Sequence, residues 1–224
     1  MHETSTELRK LNIINLGILD YREAHQLQKR LLQEHLDGIG NDTLLLLQHN
    51  PVITIGRSGS KSNILLPESS LRALGIEVYE IERGGDVTYH GPGQLTGYPI
   101  INLQNFRKDV HWYLRQLEEV IIRVLMEYGI TGERIDGYTG VWVGDEKIAA
   151  IGISVRRWIT FHGFAFNIHP DMSHFQMITP CGITDKGVTS LEKLLGHSVD
   201  IDKIADSIAS VFAEVFDISA TKGI

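Results

Sequence analysis

The chain has 224 residues, of which 42% are hydrophobic and 22% charged, the composition of an ordinary globular protein with a sizeable core. Its net charge of -7 argues against a broad nucleic-acid-binding surface, which would need clustered lysine and arginine. No apolar run approaches the roughly 18 residues that span a membrane. We therefore expect a protein that neither binds nucleic acid nor enters a membrane.

The single cysteine, Cys181, excludes an internal disulfide. Because the first residues also lack an apolar signal stretch, we expect a reducing, cytoplasmic location. The composition is uniform and contains no internal repeat or Pro/Ser-rich linker, which predicts a single domain over residues 1–224. No coiled-coil pattern is present, so the expected state is a monomer.

Three segments carry apolar residues at helical spacing. The first is Tyr21–Leu36, the second covers residues 110–128, and the third covers residues 201–215. Asp109 is a suitable N-cap for the second helix, and Gly129 is a suitable stop signal. Each helix is expected to lay one face on a sheet.

Eight short apolar runs predict β-strands. They cover residues 13–16, 43–49, 52–55, 77–81, 98–103, 140–143, 147–155 and 160–168. The pairs Asn50-Pro51 and Gly144-Asp145 are typical of turns within hairpins. Strands that often follow one another directly, with a few long helices between them, predict an α/β (α+β) fold: a mixed β-sheet flanked by helices.

The densest group of unusual residues is RGGDVTYHGPGQLTGYP, residues 83–99, which holds five glycines and two prolines in one predicted connection. Loops of this kind often carry function. The glycines let the backbone approach a ligand or adopt positive φ, while Pro92 stiffens the turn. Such a loop can wrap a thin acyl chain or present N–H groups to an oxyanion. The alternative is a plain turn that a hydrogen-bonded His90 supports.

The sequence does not support phosphate binding by this loop. It lacks the lysine of a Walker A motif, and GRSGSKS at residues 56–62 has Ser60 where the glycine before the lysine should stand. Neither segment fits the Rossmann pattern between a strand and a helix.

Cys181 lies in ITPCGIT, where Pro180 and Gly182 interrupt regular structure on both sides. A lone cysteine is more often a small buried hydrophobe than a nucleophile, but these neighbours are typical of a side chain held at a cleft. A thiol with a pKa of about 8.5 is mostly protonated at pH 7. A nucleophilic Cys181 therefore needs a cation or a base beside it.

Lys147 is the candidate for that role because it opens an apolar strand. Burial there would lower its pKa and let it exchange protons with a thiol. The alternative is an exposed hairpin lysine beside Asp145 and Glu146.

The ten histidines do not form a recognisable metal motif. HExxH and CxxC are absent, and His169 and His174 lie in a short predicted surface turn. We therefore predict no metal.

Four motifs resemble the lipoyl(octanoyl) transferase family in the order expected for it. RGGDVTYHGPGQLTGYP resembles the family signature, KIAAIGISVRRWITFHGFAFNI resembles its lysine strand and the HG-x-A-x-N segment, and TPCGI with GVTSL resembles its cysteine loop. The similarity runs from about Asn12 to Leu195. Four motifs in this order make the resemblance highly specific, and none of the motif positions departs from the family pattern.

By position, the resemblance implies that Cys181 is the acyl-thioester nucleophile and that Lys147 lowers its pKa and handles protons. It also implies the fold of biotin and lipoate protein ligases, with no cofactor. The residues implied to line the acyl pocket are Arg83, Gly84, Gly85, Asp86, Val87, Thr88, Tyr89, His90, Ala150, Ile151, Gly152, Gly163, Phe164 and Ala165.

The implied reaction moves octanoyl from octanoyl-acyl carrier protein to a lysine of a lipoyl domain, in 2-oxoacid dehydrogenase complexes or the glycine cleavage H protein. Because a thioester is exchanged for a more stable amide, no ATP is needed. Both partners are expected to be acidic around their modified residues. Arg156 and Arg157 are the strongest candidate for a basic patch that docks them, and a solvated turn is the alternative reading.

Three other functions remain open at this level. An ATP-dependent lipoate or biotin ligase would share the fold but would not need Cys181, and the GRGRxG loop of biotin ligases is absent. A non-catalytic acyl-binding module would have no use for both Cys181 and Lys147. A thioesterase would let water replace the acceptor lysine, so the exclusion of water from the acyl-enzyme separates it from a transferase.

Overall fold

The computed structural model describes residues 9–179 and 186–222. The helices are α1 (Tyr21–Leu36), α2 (Glu68–Ala73), α3 (Val110–Glu127), α4 (Leu191–Leu195) and α5 (Ile201–Phe216). The strands are β1 (Lys10–Leu19), β2 (Thr43–His49), β3 (Val52–Ile55), β4 (Glu77–Glu80), β5 (Val87–His90), β6 (Gln94–Ile100), β7 (Glu133–Ile135), β8 (Tyr138–Val143), β9 (Glu146–Arg156), β10 (Ile159–Asn167), β11 (Gly187–Val188) and β12 (Ser219–Lys222).

The strands form two sheets. The large sheet has the order β12-β1-β2-β6-β10-β9-β8-β7, with β11 pairing alongside β9, and the small sheet has the order β4-β3-β5. In the large sheet β1 runs parallel to β2 and β12, and β11 runs parallel to β9. The pairs β2–β6, β6–β10, β10–β9, β9–β8 and β8–β7 are antiparallel. The predicted mixed sheet is therefore confirmed.

The three predicted helices are present at nearly the predicted bounds. Helix α3 begins after Asp109, whose carboxylate accepts a hydrogen bond from the Trp112 N–H, and it ends before Gly129, which has a φ of +71°. Its apolar stripe and that of α5 pack on one face of the large sheet, against Leu46 and Phe166. No helix within the described ranges is both long enough and apolar enough to cross a membrane.

The opposite face of the large sheet is covered by α1 and the small sheet. Ala24 and Leu32 of α1 pack on Leu45 and Phe161. Because side chains alternate along a strand, Leu45 points to this face while its neighbour Leu46 points to the other. Buried residues of the small sheet, such as Tyr89, form a separate cluster. Residues of both sheets border a cavity that lies between them.

Two predictions about connections are wrong. Asn50-Pro51 is not a hairpin turn, since β2 pairs with β1 and β6 in the large sheet while β3 pairs with β4 and β5 in the small one. The segment 83–99 is not one connection, because it contains β5 and most of β6. In both cases the partner strands are distant in sequence, so local turn signals could not show the pairing. The hairpin at Gly144-Asp145 is confirmed by the antiparallel pairing of β8 and β9.

Candidate active site

A cavity of about 400 Å³ lies on the α1 face of the large sheet and is bounded by the glycine-rich segment. Its volume is within the range of small-molecule binding sites. Apart from Tyr89, every residue that the motifs implied for the acyl pocket lines this cavity, and Lys147 lines it as well. The glycine-rich segment and the motif that contains Lys147 are therefore brought together in space although they are separated in sequence.

The cavity exists because the middle strands carry small side chains on this face. Ala165 of β10 pairs across the sheet with Ala150 of β9 and with Thr96 of β6, and all three residues line the cavity. Further along the same face of β10, Phe161 is large and packs under α1. The change from large to small residues along one face leaves an open space beside an otherwise filled core.

The start of the glycine-rich segment lies directly on β9. The Gly84 N–H donates to the Ile153 carbonyl at 2.8 Å, so the backbone of the segment passes close to Gly152. A Cβ atom on Gly152 would meet the Gly84 carbonyl oxygen at 2.8 Å. Only glycine allows this approach, which explains one glycine of β9.

A chain of buried hydrogen bonds fixes the polar wall of the cavity. Arg83 is 7% exposed, and its guanidinium donates to the backbone carbonyl and the hydroxyl oxygen of Thr54 at 2.8 and 2.9 Å. The Thr54 hydroxyl lies 3.4 Å from Nε2 of His90, whose Nδ1–H donates to Gln94 Oε1 at 2.7 Å. Gln94 in turn donates to Asn167 Oδ1 at 2.9 Å. These bonds connect β3, β5, β6 and β10 into one network.

His90 has hydrogen-bond partners at both ring nitrogens, as the alternative interpretation of the loop expected, and it also lines the cavity. Burial, reinforced by His49 and by the Arg83 guanidinium, holds the pKa of His90 well below its usual value of 6.5. The imidazole is neutral near pH 7, and the Gln94 bond fixes its tautomer. It contributes a polar group to the wall of the cavity.

Asp86 holds a second loop against the glycine-rich segment. Its Oδ1 accepts from the backbone N–H of Val87 at 2.7 Å and of Ser60 at 3.3 Å, and its Oδ2 accepts from Asn63 Nδ2 at 2.5 Å. Ser60 belongs to the GRSGSKS sequence that the motif analysis rejected as a phosphate loop. In the structure this loop is a support for the cavity wall.

His49 lies behind the cavity wall and gives the fold a dependence on pH. Its Nδ1–H donates to the Leu19 carbonyl at 3.0 Å, so its Nε2 accepts from the Tyr98 hydroxyl at 2.7 Å. Burial lowers the pKa of His49 to about 4, although the Leu19 carbonyl and Asp20 oppose this shift. The charged imidazole is therefore strongly disfavoured in the folded state.

We expect the free energy of unfolding to fall as the pH is lowered from 7 to 5, with about 2 kcal/mol of the loss due to His49. The folded pKa is depressed below the unfolded value, so the contribution is complete above about pH 6.5 and is lost as the pH falls toward 4. In urea denaturation at pH 7, 6 and 5, the free energy of unfolding of His49→Gln should fall by about 2 kcal/mol less than that of the parent. His197→Gln, at an exposed position, should match the parent. An unchanged slope in His49→Gln would contradict the assignment.

Lys147 is half-buried at the cavity wall. Its Nζ lies 4.7 Å from the centre of the Trp142 ring, a cation–π distance. Its backbone pairs with Val188 of β11, and the Thr189 N–H donates to the Lys147 carbonyl at 3.0 Å. The expected partial desolvation of Lys147 therefore agrees with its position. Cys181 belongs to residues 180–185, which lie outside the described part of the chain.

Tyr89 differs from the other predicted pocket residues. It lies on the opposite side of β5 from His90, and its ring contacts His174 and Phe175 edge-on, with its hydroxyl 2.6 Å from His174 Nδ1. Strand alternation produces this result, since residues 88 and 90 face the cavity while residue 89 faces the core of the small sheet. Tyr89 supports the cavity from behind.

Several cavity residues carried no local signal in the sequence. Their position follows from strand register and helix packing, which single-sequence patterns do not reveal. Cavity residues outside every motif are Tyr21, Ile81, Leu114, Gly137, Tyr138, Thr139 and Phe175. Cavity residues that stand inside the motifs but were not singled out from the sequence are Gln94, Thr96, Tyr98, Ile153, His162, Asn167 and Val188.

Comparison with solved structures confirms the fold predicted from the motifs. A bi-partite lipoate protein ligase of Thermoplasma acidophilum, described together with its E2 lipoyl domain, superposes with a TM-score of 0.73 at 14% identity over 96% of this chain and 87% of that chain. A biotin protein ligase of Aquifex aeolicus, in complex with biotin and ATP, superposes with a TM-score of 0.55 at 16% identity over 92% and 70%. These identities are low, so they show the fold and not the reaction.

Sequence comparison identifies the family. The lipoyl protein ligase A/B catalytic domain matches residues 20–213. An octanoyltransferase of Caldicellulosiruptor saccharolyticus is 53% identical over 209 residues, which cover 92% of this chain and 89% of the relative. One of Nostoc punctiforme is 51% identical over 207 residues, covering 92% and 88%. With this similarity along most of its length, the chain belongs to the octanoyltransferases, an acyltransferase family with the lipoyl protein ligase A/B catalytic domain.

Proposed function

We propose that the chain takes octanoyl from octanoyl-acyl carrier protein as a thioester on Cys181 and passes it to a lysine of a lipoyl domain. The observation that carries this proposal is a half-buried Lys147 at the wall of an apolar cavity. Phe175 and Val188, which flank Cys181 on either side in sequence, both line the same cavity. The chain on both sides of the candidate nucleophile is thus anchored at the candidate acyl site.

In the first step the Cys181 thiol transfers its proton to Lys147, and the thiolate attacks the carbonyl carbon of the carrier thioester. A new C–S bond forms to Cys181 while the bond to the carrier sulfur breaks. The carrier leaves as a thiolate and takes the proton from Lys147, so Lys147 ends the step in its starting state. Octanoyl remains bound in the cavity as the acyl-enzyme.

In the second step the neutral amine of the acceptor lysine attacks the acyl-enzyme carbonyl. The amide C–N bond forms, the C–S bond to Cys181 breaks, and the proton lost by the amine returns to the Cys181 sulfur through Lys147. The exchange of a thioester for an amide supplies the driving force. The acceptors are the lipoyl domains of 2-oxoacid dehydrogenase complexes and the glycine cleavage H protein, in line with the E2 lipoyl domain described for the archaeal ligase of the same fold.

The cavity favours aminolysis over hydrolysis of the acyl-enzyme. Its wall near Ala150, Ala165 and Phe164 is apolar, so a bound octanoyl chain excludes water from the space beside it. This apolar wall supports a transferase over a thioesterase. The alternative of an ATP-dependent ligase is not favoured, because the similar relatives are octanoyltransferases.

Intact-protein mass spectrometry tests the proposal directly. The protein is mixed with octanoyl-acyl carrier protein, and an apo lipoyl domain is then added with no ATP. We expect one hydroxylamine-labile octanoyl group per chain that moves to the lipoyl domain. Transfer that occurs only with ATP and free octanoate would establish the ligase, and release of free octanoate at an unchanged rate without acceptor would establish a thioesterase.

Arg156 and Arg157 are both exposed at the turn between β9 and β10. Arg157 and Trp158 have φ values of +50° and +70°, the geometry of a tight two-residue hairpin turn. The turn therefore exposes two cations to solvent. This exposure agrees both with a basic patch that docks acidic partners and with a turn that contacts only solvent. Arg156 also borders a second cavity that contains Lys29 and Arg57.

We expect the double reversal Arg156→Glu/Arg157→Glu to raise the KM for the acyl carrier protein about three- to tenfold at low salt, with kcat little changed. Electrostatic attraction to an acidic partner is screened by salt, so the effect should shrink as ionic strength rises. Lys108→Glu/Lys203→Glu, at two other exposed positions, alters the net charge equally and serves as the control. Equal KM values for the two double variants would show that the turn is exposed to solvent but does not bind the acyl carrier protein.

A further inference from the structure

Three potential metal ligands meet beside the acyl cavity: His25 of α1, Glu82 before the glycine-rich segment, and His162 of β10. One ligand atom from each lies within 4.8 Å of the other two. The Nε2 atoms of His25 and His162 are 3.3 and 4.0 Å from the same carboxylate oxygen, Oε2 of Glu82. His162 also lines the acyl cavity, but none of the three side chains takes part in the proposed proton transfers.

The two imidazole nitrogens have no hydrogen-bond partner among the described residues. His162 is 2% exposed, and a buried polar atom without a partner is costly and uncommon in folded proteins. His25 Nε2 lies 3.3 Å from Glu82 Oε2, a contact that becomes an ion pair only when the imidazole is protonated. Both nitrogens lie near the same carboxylate oxygen, the proximity expected of ligands around a shared ion.

The backbone around this cluster is held in position by other contacts. His162 has a φ of +57°, which is unusual for a non-glycine residue in a strand, and such strain is concentrated at functional sites. Its N–H donates to Gln28 Oε1 at 2.8 Å, and Gln28 lies one helical turn after His25 on α1. The Glu82 carbonyl accepts from the Ser154 hydroxyl of β9. The three ligands are thus supplied by three anchored segments.

We propose that His25, Glu82 and His162 form a binding site for a divalent transition metal of the zinc class. Two imidazoles and a carboxylate are a common ligand set for such ions. Ligand atoms at about 2.0–2.2 Å around a tetrahedral ion are about 3.4 Å apart, so small side-chain rotations from the observed separations close the site. The fourth position is left for water or another ligand.

The neighbouring groups keep both imidazoles neutral, and one nearby ammonium weakens the affinity of the site for a cation. Burial lowers the pKa of His25 and lowers that of His162 to about 3, so both imidazoles are in the metal-binding form near pH 7. Lys29 lies 3.5 Å from the other carboxylate oxygen, Oε1 of Glu82, and competes with a cation. Because Lys29 is more than half exposed, it can turn away into solvent when an ion binds.

Cobalt absorption spectra and zinc calorimetry on the untagged Cys181→Ser protein test the site, because this variant removes the only thiol as a ligand. We expect one ion per chain with a Kd in the micromolar range and a zinc-dependent rise in Tm. His25→Gln and Glu82→Gln should each weaken binding at least about tenfold. Lys29→Gln should strengthen binding, which an adventitious surface site would not show.

His197→Gln is the matched control, because His197 is exposed and distant in sequence from the three ligands. It should leave the affinity unchanged. Binding that survives both His25→Gln and Glu82→Gln, or no binding at 50-fold excess over about 10 µM protein, would overturn the proposal. Each variant is checked by circular dichroism without metal; should Glu82→Gln fail to fold, the comparison of His25→Gln with His197→Gln decides.

Discussion

Replacing Cys181 with serine should lower octanoyl transfer at least about a thousandfold and abolish the hydroxylamine-labile adduct. A serine hydroxyl is a far weaker nucleophile at neutral pH, and the neighbouring lysine is suited to a thiol.

Lys147→Ala should slow acylation about a hundred- to ten-thousandfold while leaving Cys181 as the site of any adduct that forms. The measurement is the rate of adduct formation in single-turnover mass spectrometry.

Two further variants separate the roles of Lys147. Lys147→Arg keeps a positive charge but cannot release a proton near neutral pH, so it should acylate almost as slowly as Lys147→Ala if proton transfer is the role. Lys193→Ala is the control. Lys193 lies on α4 and forms an ion pair at 2.7 Å with Glu146, the residue before Lys147, so its loss should leave the acylation rate at that of the parent. A Lys147→Arg variant as fast as the parent would assign Lys147 to charge stabilisation alone.

Enlarging Ala165 to leucine should change the acyl chain length that the enzyme accepts. Ala165 is 3% exposed, lines the cavity, and faces Ala150 across the strands. Three additional carbon atoms in a cavity of about 400 Å³ leave less room for an eight-carbon chain. The kcat/KM for octanoyl-acyl carrier protein should fall at least about tenfold, while that for a butanoyl carrier should change little.

The ratio of the two kcat/KM values is the decisive readout, since a general loss of folding lowers both. Ala213→Leu, on α5 against the opposite face of the sheet, is the control for the added volume and should leave the ratio unchanged. Equal losses for octanoyl and butanoyl in Ala165→Leu, with a normal Tm, would show that the acyl chain does not lie against Ala165.

The sequence predicted the parts of the fold that depend on local chemistry. Helix α1 begins after Asp20, whose carboxylate caps the Arg22 N–H at 2.8 Å, and its bounds are those that the apolar spacing predicted. Strands β2 and β3 also have their predicted bounds, because both are rich in leucine or β-branched residues and Asn50-Pro51 separates them. Strand β5 was missed, since its four residues lie among glycines and form a strand only by pairing with β3.

The sequence by itself determined the family, the candidate residues Cys181 and Lys147, and nearly all of the predicted cavity wall, because each motif is a contiguous stretch. Only the tertiary structure decided that Tyr89 turns away from the cavity. It also decided that Thr54, His90 and Asn167 belong to one network, and that His25 meets His162. These contacts join residues far apart in the chain, and they depend on strand register and helix docking, which no local pattern of residues encodes.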